Sequence, residues 1–269
     1  MDADLELALS LADDADAITL APFEDRRFTV DRKVDRTEVT EIDRATEAAI
    51  VARLRIERSE HGIIGEELGV SAASSAWQWL IDPIDGTSGY VRGIPVWATL
   101  IALIHEGDVV VGVVSAPALG RRWWASRGDG VFVNGRPCRV SGVTDLADAQ
   151  VSVTFSDGWD ELGLTSALVD LATGARRARG FGDFWQHALV AEGALDVAID
   201  AVGVAPYDIA AVRLLVEEAG GRFTDRHGTA THETGTAIST NGVLHDEVLR
   251  RLGAPGAFPI AGNGQKGVP

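Results

Sequence analysis

The sequence predicts an α/β protein of the α+β type, with an antiparallel sheet in its first half and a smaller mixed sheet in its second. Two strongly apolar segments, 97–105 and 109–116, flank Glu106-Gly107-Asp108, a sequence typical of a hairpin turn. Strands joined by tight turns form antiparallel sheets. After about residue 142, short strand patterns alternate with helical ones. The 269 residues are enough to bury a sizeable core.

The first elements are predicted from hydrophobic spacing. Apolar residues at helical intervals indicate an amphipathic helix over 5–23, and 28–34 reads as a strand or hairpin arm. A second helix is expected over 44–56. Thr40 is placed to cap it, and Asp43 occupies the capping-box position in its first turn.

The remaining elements follow in order along the chain. We predict further strands over 62–65, 77–81, 97–105, 109–116, 122–125, 130–135, 149–155, 194–201, 222–224 and 237–241. We predict helices over 163–172, 184–193, 206–219 and 244–252, and Arg92 in a loop over 91–95. The pattern divides the chain into a subdomain over 1–142, a second over 143–253, and a disordered tail rich in Gly and Pro over 254–269.

Composition limits the classes of partner. A net charge of -16 disfavours nucleic acid and anionic membranes, but it allows a small anionic substrate because a bound cation reverses the local field. The single cysteine, Cys138, precludes an internal disulfide and is expected to be a packed thiol. With an acidic first segment and no apolar run of spanning length, the sequence predicts a cytoplasmic protein.

Carboxylates cluster where two predicted strands end. Asp82 and Asp85 follow the strand over 77–81, and Glu66-Glu67 follows the strand over 62–65. Buried carboxylates need a partner, and a hard divalent cation prefers oxygen ligands. Free backbone N–H groups over 86–88 would suit an anion beside it. Considered singly, each group also has a simpler explanation as a capping Asp or a solvated turn.

Asp43 and Asp208 each have both a structural and a functional explanation. Asp43 and Asp208 each lie in the first turn of a predicted helix, where the helix dipole favours an acid. A carboxylate at Asp43 would equally orient a water or a hydroxyl group, and one at Asp208 would ligate a cation. Lys33, by itself, reads as a surface lysine.

Several motifs resemble the inositol monophosphatase-like, magnesium-dependent phosphatases. These are Gly65-Glu66-Glu67, the segment W-L-I-D-P-I-D-G-T over 79–87, and Tyr207-Asp208. The resemblance extends from about residue 5 to residue 252. The segments 90–98, 115–124, 182–184 and 190–193 are similar to actinobacterial-type histidinol-phosphate phosphatases. The resemblance implies a layered α-β-α-β-α sandwich and, because dimers are common in this family, a homodimer.

The resemblance also implies a site for two or three Mg²⁺ ions, with Asp82 bridging two of them. The implied ligands are four carboxylates and one backbone carbonyl, supplied by Glu66, Asp82, Ile84, Asp85 and Asp208.

The other site residues would act on the water and the substrate. The resemblance implies that Thr87 and Asp43 orient a metal-bound water, with Glu66 also in the catalytic set, and that the Gly86 and Thr87 amides hold the phosphate. Lys33 falls near the metal site in this family. Further substrate contacts are expected from Arg92, Asp183, Glu192 and Asp200.

Three departures from the family pattern concern the substrate. Ser88-Gly89 stands where histidinol-phosphate phosphatases usually have Lys-Asn, and Tyr207 where Trp is usual. Ala201, with Asp200 beside it, stands where a substrate-contacting Glu is usual. A shift of one residue on a strand reverses the face that a side chain occupies, so Asp200 is no simple substitute unless the loop after it is rearranged.

The sequence therefore predicts a Mg²⁺-dependent phosphomonoesterase that acts on a small metabolite, with histidinol phosphate as the first candidate. Two alternatives stay open. One is a divergent paralogue that acts on a nucleoside, sugar or inositol phosphate. The other is a catalytically silent protein that binds a phosphorylated ligand.

Overall fold

The computed structural model describes residues 3–34, 36–71 and 75–253. The predicted tail over 254–269 lies outside the described residues. The helices are α1 (Ala3–Asp25), α2 (Glu41–Glu57), α3 (Thr87–Arg92), α4 (Asp157–Glu161), α5 (Thr165–Gly174), α6 (Asp183–Ala191), α7 (Pro206–Glu218) and α8 (His245–Arg251). None of the helices in the described part of the chain has the length and apolar character needed to cross a membrane.

The strands form one separate hairpin and two sheets. The hairpin consists of β1 (Val30–Arg32) and β2 (Glu38–Thr40). The larger sheet contains β3 (Gly62–Gly65), β4 (Gly69–Ser71), β5 (Trp77–Asp85), β6 (Ala98–His105), β7 (Asp108–Ala116), β8 (Arg121–Ser126), β9 (Gly130–Val133) and β10 (Arg136–Pro137). The smaller sheet contains β11 (Gln150–Val153), β12 (Arg177–Arg179), β13 (Val197–Ile199), β14 (Arg222–Thr224) and β15 (Ile238–Thr240).

The eight-stranded sheet runs in the order β10-β9-β8-β7-β6-β5-β3-β4. Its neighbouring strands are antiparallel except β3 and β5, which are parallel. Alternation along β5 directs Trp79 and Ile81 to the face covered by α1 and α2, and Leu80 to the face covered by α6 and α7. Because helices cover both faces, its central strands are apolar throughout rather than alternating.

The five-stranded sheet runs in the order β12-β11-β13-β15-β14 and mixes parallel and antiparallel pairs. Ala198 and Phe223 pack in the core shared with α6 and α7, whereas Val151, Val197 and Ile238 pack with residues of α5 and α8. The layers therefore run helix, sheet, helix, sheet, helix, which confirms the predicted fold class.

Local predictions differ from the structure in three ways. The fifth strand does not end before Pro83 but continues to Asp85, with a register shift between Asp82 and Asp85. Arg92 lies on helix α3 rather than in a loop. The short elements β2, β4, β10, α4 and β12 are additional to those predicted.

Cys138 is the packed thiol that the sequence predicts. It is half-buried against the core that contains α6 and α7, and burial raises the pKa of its thiol to about 11. At neutral pH the thiol is therefore protonated and unreactive.

The predicted division between residues 142 and 143 falls between the last strand of the larger sheet and the first strand of the smaller one. It stays a prediction, because α6 and α7 share one apolar core with residues of both sheets.

Candidate active site

Parallel pairing of β3 with β5 brings the first acidic groups together. Gly65 pairs with Ile81, and the Glu66 amide donates to the Ile81 carbonyl at 3.2 Å. Glu66 therefore leaves β3 beside Asp82 on the neighbouring strand. Asp82 is 2% exposed, and its Oδ1 accepts a hydrogen bond from the Ile84 amide at 3.0 Å.

Two helices of the middle layer supply further parts of the site. Asp208 lies in the first turn of α7, where its Oδ2 accepts from the Ala205 amide at 2.7 Å. At the start of α6, the Phe184 amide donates to Asp85 Oδ2 at 2.6 Å. Acids that are far apart in the chain thereby meet at one end of the larger sheet.

Helix α2 places Asp43 against the segment that follows β5. Asp43 Oδ2 accepts from the Thr40 amide at 2.9 Å, which closes the predicted capping box. Its other oxygen, Oδ1, lies 3.0 Å from the Thr87 hydroxyl, which is also 2.9 Å from the Ile84 carbonyl. Asp43 is fully buried, so its carboxylate is held by the helix cap on one side and by Thr87 on the other.

The acids of the site disfavour one another's ionisation. Burial raises the pKa of Asp82 and of Asp85 well above the usual value, and neighbouring carboxylates raise both further. Burial also raises the pKa of Asp208 to about 7, and Glu66 adds to this effect. Such a group of carboxylates is stabilised by a cation among them.

Asp183 shows the same effect at the edge of this group. Asp183 is exposed as a residue, but its Oδ2 lies beside Gly86, and desolvation raises the pKa of its carboxyl group to about 6. The charge of Asp200 adds to the increase.

The acids of the site line a cleft of about 520 Å³. Its lining comprises Arg32, Arg36, Thr37, Glu38, Glu66, Asp82, Ile84, Asp85, Gly86, Thr87, Ser88, Arg92, Asp183 and Asp208. It thus brings together every residue that the resemblance assigns to the metal, both residues assigned to the phosphate, and two of those assigned to the rest of the substrate. Asp43 reaches the cleft through Thr87.

Close packing shapes the wall of the cleft beside the expected phosphate position. Gly86 has a φ of +86°, and a Cβ there would lie 3.0 Å from the Val96 carbonyl oxygen and 3.3 Å from Asp183 Oδ2. Asp183 itself adopts a φ of +47°, which is uncommon for a residue with a side chain. The left-handed conformation of Gly86 allows helix α3 to begin at Thr87.

Two residues predicted to contact substrate have other partners. His187 Nε2 lies 3.0 Å from Asp200 Oδ2, and the Ala201 amide donates to Asp200 Oδ1 at 2.8 Å. Glu192 pairs with Arg121 and accepts from the Trp123 indole N–H at 2.6 Å. In the described part of the chain, neither acid belongs to the cleft lining. Their assignment to the substrate stays a prediction.

The β1–β2 hairpin contributes groups that the motifs do not predict. Arg32, Arg36 and Glu38 line the cleft, and Arg92 donates to Glu38 at 2.8 Å and to the Ser88 carbonyl at 2.9 Å. These residues are distant in the chain from most of the acidic motifs. For Arg32 and Arg36 the sequence offers only the basic residues within 32–36 as a signal, and it offers none for Glu38.

Lys33 of the same hairpin lies in the site rather than on a free surface. Its ammonium group is 2.7 Å from Glu66 Oε1 and 2.6 Å from Glu67 Oε1. The location that the resemblance implies for Lys33, beside the acids, is therefore the one that the structure shows.

The chemistry of the donor set fits a divalent cation such as Mg²⁺. Carboxylates and a backbone carbonyl are the oxygen ligands that Mg²⁺ prefers, and they converge on one cleft where their charges repel one another. As the side chains stand, the described residues contain no group of three or more His, Cys, Asp or Glu arranged closely enough to hold a metal ion. One predicted ligand, Glu66, is paired with Lys33 in this structure.

Comparison with known proteins places this site in a family. The model of the inositol monophosphatase family matches residues 1–254. Histidinol-phosphatase of Mycobacterium tuberculosis is 48% identical over 256 residues, which cover 93% of this chain and 98% of that protein. Histidinol-phosphatase of Streptomyces coelicolor is 44% identical over 258 residues, covering 93% of this chain and 96% of that protein.

Solved structures agree with the sequence comparison. The extragenic suppressor protein suhB of Bartonella henselae superposes with a TM-score of 0.87 at 28% identity, covering 93% of this chain and 98% of that one. The Thermotoga maritima IMPase gives a TM-score of 0.84 at 31% identity, covering 93% of this chain and 96% of that one.

The class of protein is therefore a metal-dependent phosphoric monoester hydrolase. The chain belongs to the inositol monophosphatase family.

Proposed function

We propose that this enzyme is a Mg²⁺-dependent histidinol-phosphatase, which hydrolyses histidinol phosphate to histidinol and phosphate. The observation that carries the proposal is the convergence of Glu66, Asp82, Asp85 and Asp208 on one cleft. Similarity to proteins named histidinol-phosphatase at 44% and 48% identity supports this choice of substrate within the family.

The proposed ligands of Mg²⁺ are the four carboxylates together with the Ile84 carbonyl, for two or three ions. When bound, Mg²⁺ would lower the pKa of a water molecule and neutralise charge on the phosphoryl group. Burial of Asp82 keeps bulk water from screening these charges. The charges of Glu66, Asp85 and Asp208 all act on Asp82, which would hold Mg²⁺ together with them.

The protein's own groups would orient the attacking water and the phosphate. The Thr87 hydroxyl is held by Asp43, so a water that donates to this hydroxyl is linked through it to a buried carboxylate. The amides of Gly86 and Thr87 lie at the start of helix α3 beside the cleft, where they are the proposed donors to the phosphate. Glu66 also belongs to the proposed catalytic set, because it lies beside Asp82.

The remaining part of the substrate would lie toward Asp183 and Arg92, which line the cleft on different elements. Histidinol carries an amine and an imidazole, and Asp183 is an acid of the cleft that is not among the proposed metal ligands, so it is well suited to a cationic group. Glu192 and Asp200 would join this set only by exchanging the partners that they have in this structure.

A second candidate is the hydrolysis of another small phosphate monoester, such as a nucleoside, sugar or inositol phosphate. Two observations favour it. Asp200 is engaged by His187, and Arg92 is engaged by Glu38 and Ser88. Both arrangements engage groups that are predicted to contact the rest of the substrate, and neither involves the acids around the phosphate.

A panel of phosphomonoesters tests both candidates. Phosphate release is measured for histidinol phosphate, inositol 1-phosphate, a nucleoside monophosphate and a sugar phosphate, each with Mg²⁺ and with a chelator. We expect Mg²⁺-dependent release and the highest kcat/KM for histidinol phosphate. A higher kcat/KM for another ester would replace histidinol phosphate as the substrate. If no ester in the panel is hydrolysed, the silent binding protein becomes the better interpretation.

We also propose a homodimer and a cytoplasmic location. Both rest on the family resemblance and on the composition of the chain rather than on a contact in this structure. Light scattering coupled to size-exclusion chromatography measures the first, and a mass of one chain, 28.5 kDa, would contradict it.

A further inference from the structure

Helix α2 contains a second buried acid, Glu47, which the proposed reaction does not use. Glu47 lies one helical turn after Asp43 and, like it, is fully buried. Residues four apart lie on the same face of a helix, so both acids point toward the site from α2. Asp43 contacts Thr87, whereas Glu47 contacts the turn between β3 and β4.

Both oxygens of Glu47 bind the backbone of this turn. Oε2 accepts from the Glu67 amide at 2.8 Å, and Oε1 accepts from the Leu68 amide at 2.8 Å. These amides immediately follow Glu66, which lines the cleft. The turn is also held by Lys33, whose ammonium group binds the side chains of Glu66 and Glu67. Glu47 therefore fixes the backbone of the turn, and Lys33 fixes its side chains.

Glu47 occupies the space that a side chain at position 65 would need. A Cβ at Gly65 would lie 1.9 Å from Glu47 Oε1 and 2.4 Å from its carboxyl carbon. No side chain fits there while Glu47 keeps its place. Because the φ of Gly65 is not in the left-handed region, this glycine is required by the carboxylate and not by backbone conformation.

A buried carboxylate is a costly way to fill this space. Within the part of the chain that the structure describes, no Lys, Arg or His side chain forms an ion pair with Glu47, so its hydrogen bonds to the turn are its main compensation. An apolar residue would fill the same volume without that desolvation cost. What the carboxylate adds is a defined position for two amides next to Glu66.

We propose that Glu47 is a positioning residue, which sets the turn that directs Glu66 into the cleft. The inference rests on the proposed function, because it takes Glu66 as a ligand of Mg²⁺. Groups that orient a metal ligand from outside the coordination shell typically affect metal affinity about 10- to 100-fold. Glu47 acts through the backbone of the residues after Glu66, and it is not itself a ligand of the metal or the substrate.

The test compares Glu47→Gln with the wild-type full-length chain. A glutamine has almost the same shape, but it can accept only one of the two amide hydrogen bonds and places an NH₂ group against the other N–H. We expect Mg²⁺ binding, measured by calorimetry, to weaken roughly 10-fold or more. We also expect the amides of Glu67 and Leu68 to exchange with deuterium at least about 10-fold faster, because the turn loses one of its two anchoring bonds.

Two control variants separate positioning from other effects. Glu57→Gln changes an exposed acid of the same helix, whose side chain pairs with Arg53, and both measurements should match the wild type. Glu67→Gln removes a negative charge one residue from Glu66 but leaves the Glu47 hydrogen bonds in place. It should therefore leave exchange of the two amides unchanged, and its effect on Mg²⁺ binding measures the loss of this charge and of its pairing with Lys33.

Several outcomes decide between the interpretations. If the wild type binds Mg²⁺ but Glu47→Gln binds it no more weakly than Glu67→Gln does, Glu47 is not a positioning residue. If the wild type does not bind Mg²⁺, the proposed function fails and the role of Glu47 fails with it. Should Glu47→Gln not fold, Gly65→Ala decides in the same way, because its methyl group displaces the same carboxylate and is expected to weaken Mg²⁺ binding to a similar extent.

Discussion

Single residues in this site combine a structural and a functional role. Asp43 closes the capping box of α2 with one oxygen and contacts Thr87 with the other. Asp208 likewise accepts from the Ala205 amide at the start of α7 while lining the cleft. The two explanations that the sequence left open for these acids are therefore compatible. A carboxylate has two oxygens, and the helix terminus needs only one of them.

At the residue scale we expect Asp85→Asn to lose nearly all activity and to stay folded. The substitution keeps an oxygen that can accept from the Phe184 amide, but it removes a charge proposed to bind Mg²⁺. The loss should exceed the about 10- to 100-fold effect typical of residues that only support a ligand. Phosphate release and thermal unfolding are the measurements. A variant that unfolds at room temperature would show that Asp85 is mainly structural.

The pKa of Asp208 predicts how metal-free stability depends on pH. Its pKa is about 7 when folded, against about 3.9 for an unperturbed Asp, so the unfolded chain releases this proton first as pH rises. Asp208 should therefore lower the free energy of unfolding progressively between about pH 4 and pH 7. Added Mg²⁺ should restore more stability at about pH 8 than at about pH 5, because the Asp208 carboxylate that is proposed to bind it is ionised at about pH 8.

Thermal unfolding with and without Mg²⁺ at several pH values checks this dependence. Asp208→Asn is the matched variant, because it has no proton to release and still offers an acceptor to the Ala205 amide. Its metal-free stability should change less with pH than that of the wild type. Equal pH profiles would show that Asp208 contributes nothing to the dependence.

At the scale of elements, strand β5 shows how a proline is accommodated next to an acid of the site. Proline lacks an N–H and is uncommon in central strands except at bulges. The register shift between Asp82 and Asp85 is such an irregularity, and the Thr99 hydroxyl on the next strand donates to the Pro83 carbonyl at 2.8 Å. Pro83 therefore lies within the strand, where the local pattern predicts its end.

The cap of α2 provides a prediction for this element. Thr40→Ala removes the hydroxyl that lies 3.1 Å from the Ile42 amide and 2.5 Å from Asp43 Oδ2. We expect the free energy of unfolding to fall by about 1 kcal/mol, as for other helix caps. Activity should also fall, because Asp43 loses one of the groups that hold it. Urea unfolding and phosphate release measure the two effects.

The cap at Asp145 is a suitable control for Thr40. Asp145 accepts from the Ala147 amide at 2.9 Å at the start of a short 3₁₀ helix, away from the cleft lining. Asp145→Ala should lower stability without lowering kcat/KM. If both variants lowered activity equally, the loss would reflect stability and not the position of Asp43.

At the scale of the whole molecule, the active site depends on the middle layer of helices. Helix α7 packs against the larger sheet, where a Cβ at Gly112 on β7 would lie 2.8 Å from the Ala211 carbonyl oxygen. This close approach sets the distance between α7, which supplies Asp208, and the sheet that supplies Asp82 and Asp85. The backbone cannot yield there as a flexible side chain would.

Gly112→Ala should therefore affect both stability and metal binding. Overpacking of a core typically costs about 1–3 kcal/mol, and separation of α7 from the sheet should weaken Mg²⁺ binding. Urea unfolding and calorimetry are the measurements. Gly142→Ala is the control, since a Cβ at Gly142 meets no atom within 4 Å beyond its chain neighbours. If Gly112→Ala is destabilised but binds Mg²⁺ with unchanged affinity, the packing of α7 against the sheet does not determine metal binding.

The amino-acid sequence by itself determined the α/β class with an antiparallel sheet in its first half, the capped helix at Thr40 and the acids at the strand ends, whereas the layered order was implied by family resemblance. These features are encoded locally, in hydrophobic periodicity, in capping residues and in short motifs such as Asp82-Pro83-Ile84-Asp85. Family resemblance then related the separate acidic segments to one another. The roles that it assigns to individual residues stay predictions.

Only the tertiary structure decided which partners these groups have. Asp200 binds His187, and Glu192 binds Arg121 and Trp123. Glu47, which belongs to no motif, holds the turn after Glu66. Such pairings join residues that are distant in the chain. They depend on how helices pack on sheets, and spacing along the chain carries little information about that packing.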